Sequence, residues 1–181
     1  MLAGAYISRY PRHVKLFISV GGGELDRSLT DMVNANVALK TDQAKMNYWR
    51  DPDVMRRDPA KVAAETRRLK VIRSIYDTTK IDLVLRQVVH GATNPAMAAL
   101  MWKDLQSRLH FVEGCQHFHG PSLIVFGYND MIGLTTVTQY QKAFPAAQTA
   151  GIPKCGHYPE IEQPESFYSI IENFLARNLG Q

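Results

Sequence analysis

The sequence predicts an α/β chain with a parallel sheet, and three stretches predict it. "VKLFISVGGG" (Val14 to Gly23) and "PSLIVFGYND" (Pro121 to Asp130) are apolar runs ending in glycine turns, the pattern of buried strands. In "FYSIIENFL", Phe167, Ile170, Ile171, Phe174 and Leu175 fall at i, i+3, i+4, i+7 and i+8, one face of a helix. Strands separated by helices of this length need crossover connections, and crossovers make parallel pairs. The 181 residues are 45% hydrophobic and 21% charged, which suits one sizeable core and excludes a disordered chain.

The elements follow in order. In "MLAGAYISRYP", Leu2, Ala3, Ala5, Tyr6 and Ile7 have helical spacing, but no capping residue precedes them. The helix is therefore expected to have lost its first turn, and Pro11 ends it. The strand from Val14 then completes half of a βαβ unit whose first strand is absent. From Glu24 to about His119, β-branched runs are few, and Pro52, Pro59 and Pro95 punctuate the chain. Helices are expected over 27–48, 60–77, 81–89 and 94–109, with Val62, Leu69, Ile72 and Tyr76 on one stripe of the second. This block reads as a helical insertion between strands.

Strand character returns at Pro121. "TVTQYQKAFP" (Thr136 to Pro145) places Val137, Tyr140 and Phe144 on one helical face, and "AAQTAGIP" (Ala146 to Pro153) is a weaker strand. "KCGHYPEIEQPE" (Lys154 to Glu165) then carries a histidine into the last helix. Pro164 stands near the first position of that helix and Gly180 just past its end. The order is strand, acid, helix, strand, histidine, helix. In a parallel α/β sheet, ligands bind beyond the carboxyl ends of the strands. Asp130 and His157 are thus expected on one rim.

Several function classes drop out. The formal charge is only +4, and the densest basic stretch, "TRRLKVIR" (Thr66 to Arg73), interleaves its charges with Leu69, Val71 and Ile72. That is the wet face of an amphipathic helix, and no nucleic-acid partner is expected. No apolar run approaches the ~20 residues of a membrane helix. The start lacks a charged region followed by an apolar core, so no export signal is expected. With two cysteines only, Cys115 and Cys155, reduced thiols and a cytoplasmic location are the simpler reading. Gly21 to Gly23 lack the G-x-G-x-x-G spacing of a dinucleotide site, and no cofactor is expected. His110, Cys115, His117 and His119 invite a zinc hypothesis, but their spacing matches no structural zinc pattern, and no metal is expected.

"LIVFGYNDMI" and "GHYPEIEQPESFYSIIENFL" resemble the C-terminal third of the α/β-hydrolase fold. There a strand delivers the triad acid in a G-x-x-D turn, and a GH-x-P…E-x-P loop delivers the histidine. "MLAGAYISRYPRHVKLFISVGGG" looks like the helix after the nucleophile elbow and the sixth strand. The resemblance implies a partial α/β-hydrolase fold: a remnant of the last three parallel strands with an inserted α-helical cap. Residues 1–23 and 120–181 would be the hydrolase core and 24–119 the cap or lid.

By this resemblance His157 is the general base and Asp130 the acid that orients it, with Asn129 beside it and Gly156 allowing close approach. Asp26, beyond the first glycine turn, is the weaker candidate for the acid. The family keeps its nucleophile in G-x-S-x-G, which does not occur here. In "FISVG", Ser19 lacks the first glycine and belongs to a buried strand, and Cys155 stands too close in sequence to face the ring of His157. The nucleophile is expected upstream of Met1, as serine or, in relatives such as dehalogenases and epoxide hydrolases, aspartate. The chain would then be a truncated, inactive piece of an enzyme that hydrolyses a small ester, thioester, amide or activated C–C bond. The alternative is a noncatalytic binding protein on the same fold. The implied partner is a small acyl substrate. Tyr48, Trp49, Met97, Met101 and Trp102 would line its pocket or, the favoured reading, form cap core. An unpaired first strand further implies self-association or a second chain supplying the missing strands.

Overall fold

The computed structural model of the chain describes residues 2–88 and 94–179. Three parallel strands form one sheet in the order β1 (Phe17–Val20), β2 (Ser122–Gly127), β3 (Gln148–Ile152). The register pairs Phe17 with Ser122 and Leu123 with Gln148. β1 is shorter than Val14 to Gly23 because Tyr10 and the Pro11–His13 turn turn the chain before Phe17, and Gly21 takes a positive φ of 53° just after Val20.

Every residue of β2 is buried, since helices cover both faces of the sheet. Successive side chains point to opposite faces, so Ile124 joins one cluster and Leu123 and Val125 another. The Ile124 side is covered by α1 (Leu2–Arg9), α8 (Val112–Cys115) and α9 (Gly133–Ala143), through Ile7, Val112, Cys115, Tyr140 and Phe144. Tyr140 and Phe144 are buried as the helical face predicted, with Val137 packed beside them. The other side is covered by α11 (Pro164–Leu179), which buries Phe174 and half-buries Phe167, Ile170, Ile171 and Leu175. Its apolar stripe therefore lies on the sheet. Gly180, predicted past its end, lies outside the described residues, as does the end of the helix expected over 81–89.

Between β1 and β2 the chain is helical: α2 (Thr30–Leu39), α3 (Gln43–Arg50), α4 (Pro52–Arg57), α5 (Pro59–Ser74), α6 (Ile81–Val88) and α7 (Pro95–Ser107), then α8. The single helix expected over 27–48 is two, because Asp42 leaves the helical conformation and caps the Lys45 N–H of α3 at 3.0 Å. Asp51 and Asp58 cap α4 and α5 in the same way, each followed by a proline at the first helical position. α4 was therefore legible in "DPDVMRRDP" as two cap-proline pairs. α5 stops at Ser74, and its stripe differs from the expected one. Val62, Leu69 and Val71 are buried, whereas Ile72 and Tyr76 are exposed. Val71 and Ile75 pack with Ile81 and Val84 of α6 and with Ile161 of α10 (Pro159–Glu162), which joins the helical block to the chain beyond β3.

Candidate active site

β2 and β3 are neighbours and point the same way, so the loops after Gly127 and Ile152 leave side by side. Backbone bonds stitch them: the Tyr128 N–H donates to Ile152 O (3.0 Å) and the Asn129 N–H to Cys155 O (2.9 Å). The Asp130 N–H closes its turn on Gly127 O at 3.0 Å. This places the Asp130 carboxylate under the imidazole of His157, with Nδ1 and Oδ2 2.8 Å apart. The other carboxylate oxygen, Oδ1, accepts the Ile132 N–H at 2.9 Å. The Asp130 side chain is 0% exposed and that of His157 30%. With a carboxylate at Nδ1, that nitrogen carries the proton of the neutral ring, leaving Nε2 as the acceptor. Burial pushes the His157 pKa down, but the hydrogen bond and charge of Asp130, helped by Glu160 and Glu162, outweigh it, so the net shift is upward.

The end of β1 closes the pair from a third side. A Cβ on Gly21 would lie 3.1 Å from both Asp130 Oδ2 and His157 Nδ1, and its positive φ favours glycine. The histidine loop is also held from behind. The His157 N–H donates to Ser74 O at the end of α5 (2.7 Å), and the Gly156 N–H donates to Glu162 Oε1 (2.7 Å). A Cβ on Gly156 would stand 2.2 Å from Ser74 O, so only glycine permits this approach. Glu162 Oε2 accepts the N–H groups of Tyr76 (2.6 Å) and Asp77 (3.1 Å). Lys154 opens the loop at φ 50°, and Gln163 Nε2 donates to its carbonyl at 3.0 Å. The roles of Gly21, Ser74 and Glu162 escape a sequence reading. Ser74 acts through its carbonyl, Gly21 through the absence of a side chain, and the E-Q-P of Glu162 reads first as a helix start.

The remaining candidates are dispersed. Asp26 caps the turn at Ser28 N (2.8 Å) and accepts from Gln139 Nε2 (2.7 Å), so it serves the Gln139 network and not the His157 ring. Ser19 is buried in β1 and hydrogen-bonds the Tyr140 phenol, whose pKa burial raises against that bond. Cys155 is fully buried among Leu123, Val125 and Phe174, and burial, then the charge of Glu162, pushes its thiol up to about 12. Such a thiol supplies no thiolate near neutral pH. Cys115 faces Gly4 O, with its thiol pushed by burial up to about 11. His110 pairs with Asp26 in an isolated bridge, while His117 and His119 line an open cleft with Arg9 and Arg12, so the suspected metal ligands do not converge.

Met46 of α3 is buried, but the five aromatic and methionine residues singled out in the helical block are not core, contrary to the favoured reading. Tyr48, Met97, Met101 and Trp102 are exposed, and Trp49 lies in a separate groove with Met55 and Val62. Trp102 does wall a largely apolar cleft of about 510 Å³ with Gly23, Thr30, Val33, Leu109 and Ile132. Gly23 and Ile132 lie two residues along the chain from Gly21 and Asp130, but neither Asp130 nor His157 lines this cleft. Arg73 stands near Tyr158, the residue after His157; its guanidinium donates to Thr41 Oγ1 at 3.1 Å, and its buried Nε has no acceptor among the described residues. Burial, then the charge of Arg50, lowers its pKa.

No protein-family profile matches the chain. Among solved structures, a meta-cleavage product hydrolase from Pseudomonas fluorescens superposes over 97% of this chain and 61% of its own length, with 18% identity and a TM-score of 0.64. An alpha/beta fold family hydrolase from Bacillus anthracis matches over 96% of this chain and 63% of its own, with 15% identity and a TM-score of 0.68. A 2-hydroxy-6-oxo-6-phenylhexa-2,4-dienoate hydrolase from Rhodococcus matches over 96% and 59%, with 14% identity and a TM-score of 0.54. The chain thus spans about three fifths of the length of the structures it resembles. Three parallel strands, a helical block after the first of them and these superpositions identify the architecture: the chain has the C-terminal portion of the α/β-hydrolase fold.

Proposed function

We propose that this chain carries the acid–base half of a hydrolase active site. His157 is the general base, Asp130 fixes its tautomer and stabilises the imidazolium, and Nε2 receives the proton of a nucleophile lying outside the described residues. Residues 1–23 and 120–181 are its core, and 24–119 form the lid over the Trp102 cleft. The substrate is a small ester, thioester, amide or activated C–C bond. One observation carries the reading: a fully buried carboxylate held 2.8 Å from a partly exposed imidazole. Burying a carboxylate is costly unless it is paired, and a protein that merely bound a ligand would need neither partner. Among the described residues the ring's only hydrogen bond is the one to Asp130, so nothing here is set to be activated by it.

The purified chain should show no hydrolysis of activated esters above its His157→Ala variant. An assembly that supplies a nucleophile beside β1 should gain such hydrolysis and lose about 10⁴-fold of it on Asp130→Asn, the scale known for serine proteases. Turnover by the chain alone that disappears in His157→Ala would place a nucleophile within it and overturn the division of the site.

A further inference from the structure

We propose that Glu162 is a positioning residue: its buried carboxylate clamps the His157 loop to the junction between α5 and α6, so that the imidazole keeps its place over Asp130. Glu162 is 2% exposed. Each of its oxygens serves a different part of the chain. Oε1 accepts the N–H of Gly156, the residue before the histidine, and Oε2 accepts those of Tyr76 and Asp77. Ser74 O takes the His157 N–H from the same junction, so the two segments are tied at two successive residues of the loop.

The nearby cation does not compete for the carboxylate. Lys80 Nζ donates instead to the carbonyls of Ile161 (3.1 Å) and Glu162 (2.8 Å), anchoring the backbone that carries it. Ile161 packs with Val71, Ile75, Ile81 and Val84, so apolar contact holds the same two segments together beside the polar clamp. Both carboxylate oxygens are required. In glutamine one becomes an NH₂ group, which would face an N–H donor on one arm or the other and leave it unpaired. An isosteric change therefore opens one arm without emptying the site. The significance of the clamp for catalysis rests on the hydrolase reading, but its existence does not. A lid movement that displaced Ser74 to Asp77 would move the histidine with it.

The charged groups that raise the His157 pKa are Asp130, Glu160 and Glu162, all negative. The cations of the same region are Arg73 near Tyr158 and Lys80 on the Ile161 and Glu162 carbonyls. A mere loss of charge must therefore be separated from a loss of position, and Glu160→Gln is the matched control. Both variants of the full chain would be followed by mass spectrometry, which reads amide exchange over 74–77 and 155–158 and exchange of the His157 imidazole C2 hydrogen against pH. Neither readout needs activity or a monomer, so a failed hydrolase assay leaves this test standing. Glu162→Gln should accelerate amide exchange about tenfold or more in both segments, the scale of a hydrogen bond to a charged group. It should also lower the His157 midpoint further than Glu160→Gln does. An equal or smaller midpoint shift, or loosening of 74–77 alone, would overturn the proposal. If Glu162→Gln does not fold, the wild-type chain decides: equal exchange rates in the two segments support the clamp, and independent rates refute it.

Discussion

His157 shows how a residue can be both ordinary in sequence and unusual in place. Its ring loses stability through burial and regains more from Asp130, so its folded pKa lies above the ordinary value of about 6.5. A group raised in this way stabilises the fold in full below the unfolded pKa, and that contribution is lost as pH rises through the folded one. Unfolding measured across that window should show a larger gain in stability on acidification for wild type than for Asp130→Asn. Parallel pH profiles would mean that the pair is not coupled to folding. Gly21 tests the same pair sterically. An added methyl meets Asp130 Oδ2 and His157 Nδ1 at 3.1 Å and must hold a positive φ. Gly21→Ala should therefore cost about 1–3 kcal/mol, the usual range for such backbone strain. It should also shift the C2-exchange midpoint of His157. A variant with unchanged stability and midpoint would show that the approach is looser than the geometry indicates.

At the scale of elements, α11 does more than close the chain. Its Phe174 is 2% exposed and meets Leu123, Val125, Ile152 and Cys155, the residues that align the ends of β2 and β3. Removing that ring leaves a cavity under the strands that carry both loops. Phe174→Ala should destabilise the chain by about 3–5 kcal/mol, measured by chemical unfolding. A cost below about 1 kcal/mol would show that the helix repacks freely on the sheet. α2 and α3 teach a different point. Helical composition ran unbroken from Arg27 to Tyr48, but Asp42 could satisfy the first N–H groups of a new helix, and the chain broke there. Local capping outweighs continued propensity when tertiary packing needs a turn.

At the scale of the whole molecule, one edge of the sheet is open among the described residues. There β1 pairs only with β2, so its other edge presents unpaired backbone groups. Beside it α1 exposes Leu2 (59%), Tyr6 (48%) and Tyr10 (40%). An exposed edge with adjoining apolar side chains is a template for a further strand, from a second copy or from another polypeptide. Light scattering of the purified chain should therefore report species larger than 20.4 kDa. A monodisperse monomer that unfolds cooperatively would contradict this. α11 would not contribute to such association through its apolar stripe, which the sheet already half-covers.

The sequence by itself determined the parallel α/β class, the succession of strands and helices along the chain and the placing of Asp130 and His157 on one rim. The resemblance to the α/β-hydrolase fold implied that the two side chains pair. The class, the succession and the shared rim rest on short-range patterns: apolar runs, helical periodicity, and loops that leave the carboxyl ends of parallel strands. Only the tertiary structure decided what surrounds the pair. That Ile72 and Tyr76 face solvent while Val71 is buried depends on where α6 and Ile161 happen to lie. That Trp102 walls a cleft, and that Cys155 is sealed from the ring two residues away, depend equally on packing. Gly21, Ser74 and Glu162 act on the histidine from 136, 83 and 5 residues away along the chain. They do so through a missing side chain, a carbonyl and a buried carboxylate, contacts that arise only when the folded chain brings distant backbone groups within hydrogen-bonding distance.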